Sequence, residues 1–232
     1  MAREREIKIQ LKIPLNEFIV RISGLGFEKK SETVQRDNYF DTPDWRLYKN
    51  VAALRTRQVD GADHSFSFKK LFRVPEKKDP IYIEEIETKF PAADNGTVAA
   101  IFDRLQIAGD GDGTFDCRSI GDILLKNGFQ GEQVLLKTRQ AFGDSKENEI
   151  AIDDVEHVGT VVELECANGE PMEFVGTLLS DGEWGRSVEG TSYAWLEKVK
   201  GFTDHLSHQS KFDEDPAWNV WENEKEMYKR LS

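Results

Sequence analysis

The chain has 232 residues, of which 38% are apolar, enough for a sizeable core, with 31 basic and 43 acidic residues and a net charge of −12. That balance argues against a general nucleic-acid binder, which needs a net basic face. No apolar run approaches the ~20 residues of a membrane helix, and Cys117 and Cys166 alone give neither a disulfide framework nor a cysteine zinc site.

The first segment alternates strictly. Residues 4–13 place Glu4, Glu6 and Lys8 on one face and Ile7, Ile9, Leu11 and Ile13 on the other, which predicts a half-buried strand. Without an apolar core, this N-terminus is not expected to be a secretory signal, and the reducing cytoplasm is the expected compartment. Leu15, Phe18, Ile19, Ile22 and Leu25 then follow helical spacing up to Gly24 and Gly26. Strands are predicted over 35–41, 51–58, 65–70 and 81–89. A helix is predicted from Thr97 to Gln106. A second starts at Ser119, with Ser119 and Asp122 as a capping-box pattern and Gly128 as C-cap. Strands resume at 132–141, 149–153 and 159–166. Pro171 opens a helix to Ser180, another covers 191–199, and a short one closes the chain near 222–231.

The order is α+β, with many short antiparallel strands. Each half carries a K/R-x-R strand and an E-x-E strand, a weak internal repeat on either side of the Gly-Asp run at 109–113. The expected organisation is one domain over 1–200 built from halves of about 1–108 and 115–200. Residues 201–232 are expected to be a helical extension packed on it.

The charges fall at strand spacing. Arg55 and Arg57, Glu85 and Glu87, Lys137 and Arg139, and Glu163 and Glu165 each share one strand face. Lys69 lies opposite Phe66 and Phe68, and Asp153 opposite Ile150 and Ile152. Singly, such pairs describe a solvated sheet face. Together they suggest a charged lumen. Two unit charges 4 Å apart interact by about 4 kcal/mol at an effective dielectric near 20. Converging cations therefore require an anion, and converging carboxylates require a cation. A polyphosphate with a hard divalent metal satisfies both.

These segments resemble the CYTH superfamily, the triphosphate tunnel metalloenzymes. Glu4-Arg5-Glu6-Ile7-Lys8 resembles its E-x-E-x-K strand, and Asp37-Asn38-Tyr39-Phe40-Asp41-Thr42 its D-x-Y-[FY]-D-T strand. Ala53-Leu54-Arg55-Thr56-Arg57, Lys69 and Glu85-Ile86-Glu87 follow in the family's order. So do Lys137-Thr138-Arg139, Asp153, Glu163-Leu164-Glu165 and Thr191-Ser192-Tyr193 with Leu196. The resemblance implies an eight-stranded antiparallel β-tunnel, closed or nearly closed, with surrounding helices. It implies a metal set of Glu4, Glu6, Asp153, Glu163 and Glu165 for Mg²⁺ or Mn²⁺. It implies a triphosphate grip of Lys8, Arg36, Arg55, Arg57, Lys69, Lys137 and Arg139, with Glu85 and Glu87 as catalytic, water-positioning groups. Glu149 shares parity with Asp153 and is an alternative to it. Ile83 stands where several relatives carry Arg, and Thr191 and Ser192 where some carry Lys; Arg186 or Lys198 could replace the missing contact.

The resemblance implies metal-dependent hydrolysis of a small triphosphate: thiamine triphosphate, inorganic triphosphate or a nucleoside triphosphate. The alternatives are a class IV adenylate cyclase and a non-catalytic polyphosphate-binding module. No nucleic-acid or membrane partner is expected, and the chain is expected to be a monomer or homodimer. His205 and His208 lack a third metal ligand nearby, and the loop from Asp110 lacks the Gly and Glu of a calcium loop. Both read as surface. Trp184, Trp195, Trp218 and Trp221 read mainly as packing residues, with stacking on a ring as the alternative.

Overall fold

The computed structural model describes residues 6–49, 52–73, 81–91, 93–107, 114–167, 171–187 and 191–200. Nine strands form one antiparallel sheet: β1 (Glu6–Leu11), β2 (Glu28–Asp41), β3 (Ala52–Val59), β4 (Ala62–Arg73), β5 (Ile81–Lys89), β6 (Gln130–Gly143), β7 (Glu149–Val155), β8 (Gly159–Glu165) and β9 (Trp184–Ser187). Their spatial order is β5-β4-β3-β2-β6-β7-β8-β1-β9. The hydrogen-bond ladder does not join β5 to β9, so the tunnel is nearly closed. The expectation of eight strands is exceeded by β9, a short edge strand on β1 that no apolar alternation announces.

Helices α1 (Leu15–Gly24), α2 (Arg46–Lys49), α3 (Asn95–Leu105), α4 (Cys117–Lys126), α5 (Pro171–Leu178) and α6 (Thr191–Lys200) complete the chain. Helix α4 begins two residues before Ser119. Its capping box is Asp116 with Ser119, each satisfying the other's end of the first turn, not Ser119 with Asp122. The single turn α2 is set by two side chains: Thr42 Oγ1 accepts from the Arg46 N–H at 3.0 Å, and Asp41 holds the rest. Asp41 accepts N–H bonds from Thr42 (2.7 Å), Leu47 (2.7 Å) and Tyr48 (2.8 Å). The expected helix near 222–231, the rest of the extension 201–232, His205, His208, Trp218, Trp221 and the loop at 109–113 lie outside the described residues.

Alternation along the strands separates two environments. One face of β3 and β4 sends Leu54, Phe66 and Phe68 into a core with Val98, Ile101 and Phe102 of α3 and Ile120 and Leu124 of α4. The same face of β1, β7 and β8 sends Ile9, Ile150, Ile152, Val162 and Leu164 against Phe18 and Ile22 of α1 and Val175 of α5. These two apolar layers hold the helices on the outside. The opposite, inner face carries the charges. At one end that face is apolar: Leu135, Val155 and Val161 pack with Tyr48 of α2 and Ala194, Trp195 and Leu196 of α6. Trp195 is therefore a packing residue. Among the described residues, no helix is long and apolar enough to cross a membrane.

Candidate functional site

Register brings the predicted pairs side by side. On β2 and β3, Asp37 lies opposite Arg57 and Tyr39 opposite Arg55. On β3 and β4, Arg55 lies opposite Ser67 and Ala53 opposite Lys69. On β4 and β5, Lys69 lies opposite Glu85 and Ser67 opposite Glu87. On β6 and β7, Arg139 lies opposite Asp153. Glu163 of β8 stands opposite Ala151 of β7 on one side and Lys8 of β1 on the other, and Glu165 stands opposite Glu6. One alternation therefore gathers Lys8, Arg55, Arg57, Lys69, Glu85, Glu87, Lys137, Arg139, Asp153, Glu163 and Glu165 onto the inner face.

The charges there are interleaved, not segregated by sign. Arg57 grips Asp37 through two hydrogen bonds, Nε to Oδ1 at 2.6 Å and Nη2 to Oδ2 at 2.7 Å. Arg139 grips Asp153 the same way, at 2.7 and 2.8 Å, and its Nη2 also donates to Glu163 at 2.8 Å. Lys137 donates to Asp153 at 2.7 Å, Lys8 stands 3.5 Å from Glu163, and Lys69 pairs with Glu85 at 2.7 Å. Mutual repulsion is thereby largely relieved by neighbouring carboxylates.

Arg55 is the exception. Its closest carboxylate oxygens are at 3.6 Å on Asp37 and 3.8 Å on Glu87, beyond hydrogen-bond distance, and its side chain is 12% exposed. Its buried Nε has no hydrogen-bond partner. Tyr39 is the hydrogen-bonded neighbour of Arg55, and the buried donor left over, Nε, is costly in itself and marks a place where an anion fits.

The electrostatics follow the geometry. Burial alone would push the Asp37 carboxyl up, but Arg55, Arg57 and Lys137 hold it well below the usual carboxylate range. Asp153 is held down against its own burial by Arg139 and Lys137. Burial and the neighbouring Arg139 pull Lys137 below its ordinary value, with Asp153 opposing them. Asp41 accepts from three backbone amides and, at 3.5 Å, from the Thr42 hydroxyl, and burial pushes it up to about 6.

One of the expected site residues falls elsewhere. Arg36 is exposed, on the alternate β2 positions beside Val34, and its register partner on β6 is Leu136. Asp37, buried to 1%, takes the inward place. Sequence reasoning passed over Asp37 because it looked for cations on this strand. Its register with Arg57 on β3, not any alternation within β2 itself, fixes the parity. Glu4 lies outside the described residues. Of the expected replacements for a missing cation, Lys198 is spent on the Val158 carbonyl at 2.7 Å.

A divalent cation suits part of this donor set. Glu163 and Glu165 face inward on β8, and Glu6 is opposite Glu165 in register. Hard carboxylate oxygens on adjoining strands match the chemistry of Mg²⁺ or Mn²⁺. Asp153 is the most heavily engaged, since its two oxygens accept three hydrogen bonds from Arg139 and Lys137, while Glu163 accepts one from Arg139. Among the described residues, no three Asp, Glu, His or Cys side chains alone form a metal cluster.

The CYTH domain family model matches residues 2–178. The chain belongs to the CYTH domain family. No curated protein matches the sequence. Among solved structures, a protein from Pyrococcus horikoshii OT3 is 18% identical with a TM-score of 0.57, over 82% of this chain and 97% of that one. A second protein from the same organism is 18% identical with a TM-score of 0.52, over 78% and 94%. A protein from Vibrio parahaemolyticus, provisionally named an adenylate cyclase, is 15% identical with a TM-score of 0.52, over 83% and 97%. At these identities the likeness concerns the fold, and it agrees with the nearly closed antiparallel sheet of this CYTH chain.

Proposed function

We propose that the chain is a metal-dependent hydrolase of a small triphosphate, releasing orthophosphate. The observation that carries this reading is Arg55, a largely buried guanidinium whose Nε has no hydrogen-bond partner among the described residues and whose nearest carboxylate oxygens there are 3.6 and 3.8 Å away. Arg57, Lys137 and Arg139 supply further positive charge on the same face. A triphosphate supplies oxygen acceptors for all of them, through charge-assisted hydrogen bonds that are stronger than neutral ones.

Glu163, Glu165 and Glu6 would hold Mg²⁺ or Mn²⁺. When bound, such an ion neutralises phosphate charge and orders the phosphate oxygens. The chain's own residues do the rest. Arg55 and Arg57 bind phosphate oxygens and stabilise charge that grows on the leaving diphosphate. Glu85 and Glu87, at the open β5 edge beside Lys69 and Arg55, orient a water toward the terminal phosphorus. The water oxygen forms the new P–O bond as the bond to the leaving diphosphate breaks. The water's proton passes to a phosphate oxygen or to one of these carboxylates.

A pocket adjoins this row. It is lined by Tyr39, Trp45, Tyr48, Ala53, Ser192 and Leu196, and Tyr39 is the register partner of Arg55. Its volume of about 30 Å³ holds little more than one water molecule, so it does not select between thiamine, nucleoside and inorganic triphosphate. The test is to incubate the protein with ATP, thiamine triphosphate and inorganic triphosphate, each with Mg²⁺ and with Mn²⁺, and to separate the products. Orthophosphate as the dominant product is expected. Cyclic AMP with pyrophosphate as the dominant products from ATP would replace the hydrolase with a cyclase.

A further inference from the structure

The two halves of the sheet contain the same device with its partners exchanged. In the first, the carboxylate Asp37 is on β2 and the guanidinium Arg57 on β3. In the second, the guanidinium Arg139 is on β6 and the carboxylate Asp153 on β7. Each pair is directly opposite in register, and β2 and β6 are themselves neighbours along a long ladder. The bonded atoms are the same in both: Nε to Oδ1 and Nη2 to Oδ2, between 2.6 and 2.8 Å. Both carboxylates are 1% exposed.

Such a fork holds the side edge of the guanidinium, formed by Nε and Nη2. It leaves Nη1 with its two donors, and among the described residues neither Nη1 donates to a carboxylate, although in Arg139 the second Nη2 donor is taken by Glu163 at 2.8 Å. A buried ion pair is a poor device for stability alone, because desolvation of both charges cancels much of their attraction. Its better use here is orientation: five donors in a rigid plane, fixed at one edge, point the other edge in one direction.

We propose that Asp37 and Asp153 are a matched pair of positioning residues, each fixing one arginine by its side edge so that the free edge meets the bound triphosphate. This rests on the triphosphate reading of the site. It gives Asp37 a role that no motif assigned, and it moves Asp153 from the metal set to the arginine-holding set. The forks persist when the ligand arrives, since the ligand takes the other edge.

Electrostatics and positioning predict opposite outcomes. Neutralising Asp37 removes a negative charge close to the anion, so attraction alone predicts tighter binding and unimpaired turnover. Positioning predicts that D37N binds inorganic tripolyphosphate at least as tightly as the wild type, while kcat falls by about tenfold or more because Arg57 is no longer aimed.

The experiment records the arginine ¹⁵N–¹H side-chain spectrum of the full chain, wild type, D37N and D153N, before and after inorganic tripolyphosphate without metal. It also measures tripolyphosphate turnover with Mg²⁺ and Mn²⁺ affinity without tripolyphosphate. D37N should displace the Arg57 Nε–H signal and D153N that of Arg139, whereas tripolyphosphate should leave both in place in the wild type. D153N should keep its Mn²⁺ affinity within about twofold.

Tripolyphosphate moving the wild-type Nε–H signals to their positions in the variants would overturn the proposal. So would turnover by D37N within about twofold of wild type, or loss of Mn²⁺ binding by D153N. If millimolar tripolyphosphate shifts no inner-face arginine of the wild type, the triphosphate reading itself fails, an outcome distinct from these three. Should D37N not fold, R57A is compared with R57A/D37N. Equal turnover supports action through Arg57, and a further loss in the double variant contradicts it.

Discussion

The two sides of the inner face are wired differently. On β6, β7, β8 and β1, Lys137, Arg139, Asp153, Glu163 and Lys8 form one continuous chain of contacts of 2.7 to 3.5 Å. On β2 to β5 the chain is broken: Asp37 is tightly bound only to Arg57, Lys69 and Glu85 pair separately, and Arg55 stands 3.6 and 3.8 Å from its nearest carboxylates. The first side is a neutralised frame. The second keeps a cation in reserve. An anion entering the tunnel gains most beside Arg55, and the carboxylates that suit a metal ion are on the framed side.

The largest effect should come from breaking the frame. Asp153→Ala leaves Lys137 and Arg139 buried without their shared carboxylate, and removing one partner of a buried pair costs about 3–5 kcal/mol. Glu85→Ala, whose partner Lys69 is 27% exposed, should cost under about 1 kcal/mol. Urea denaturation of both variants checks the ranking, and an equal cost would erase the distinction between the two sides.

A buried carboxylate without a cation sharpens it. The folded value of Asp41 is raised to about 6, chiefly by burial. Its contribution to stability is therefore complete below the unfolded value near 3.8 and is lost as pH rises through 6. Asp37 and Asp153 are depressed, so theirs is present above that unfolded value and is lost as pH falls through their folded ones. Asp41→Asn should remove a decline on the order of 3 kcal/mol at most between pH 4 and 6. Asp153→Asn should instead weaken the protein most at neutral pH. Stability curves from pH 3 to 8 decide this, and a neutral-pH loss only for Asp41→Asn would contradict both assignments.

For activity, Arg55→Ala should lower kcat/KM by about 10²-fold while leaving the melting temperature unchanged or higher, since it removes an incompletely paired buried charge. A loss of stability comparable to that of Asp153→Ala would show that Arg55 belongs to the frame. Glu163→Gln should raise the Mn²⁺ concentration needed for half-maximal activity by about tenfold; Glu85→Gln should not change it. The smallest effect is expected at Arg36. Arg36→Ala should stay within about 0.5 kcal/mol in stability with kcat/KM unchanged, and a tenfold loss of activity would put the β2 alternation in doubt.

How far the sequence reaches can be read strand by strand. On β1, β3 and β8, apolar and charged positions alternate cleanly, so the inward sets were legible without coordinates. On β2 both alternate sets carry charge, Arg36 in one and Asp37 in the other, and only the pairing with Arg57 on β3 resolves the parity. Composition also does not encode which charges neutralise each other. Lys137 and Asp153 are two residues out of direct register, and their 2.7 Å contact depends on the reach of the lysine stem. β9 and α2 escaped notice for a different reason. Each is held from outside, β9 by β1 and α2 by the Asp41 and Thr42 side chains, and a short segment held from outside has no periodicity of its own.

The pairing of β1 with β8 has a consequence in time. Residues 6–11 find their partners only at 159–165, and ribosomes add about 5–20 residues per second. The first strand therefore waits roughly 10–30 s before the segment that completes it has been made. Over that interval Ile7 and Ile9 have no sheet partner, while β2, β3, β4 and β5 can already form a meander carrying Arg55 and Arg57. A nascent chain thus acquires the basic side of its tunnel well before the carboxylates of β8 arrive, and the strand bearing Glu6 and Lys8 is docked among the last.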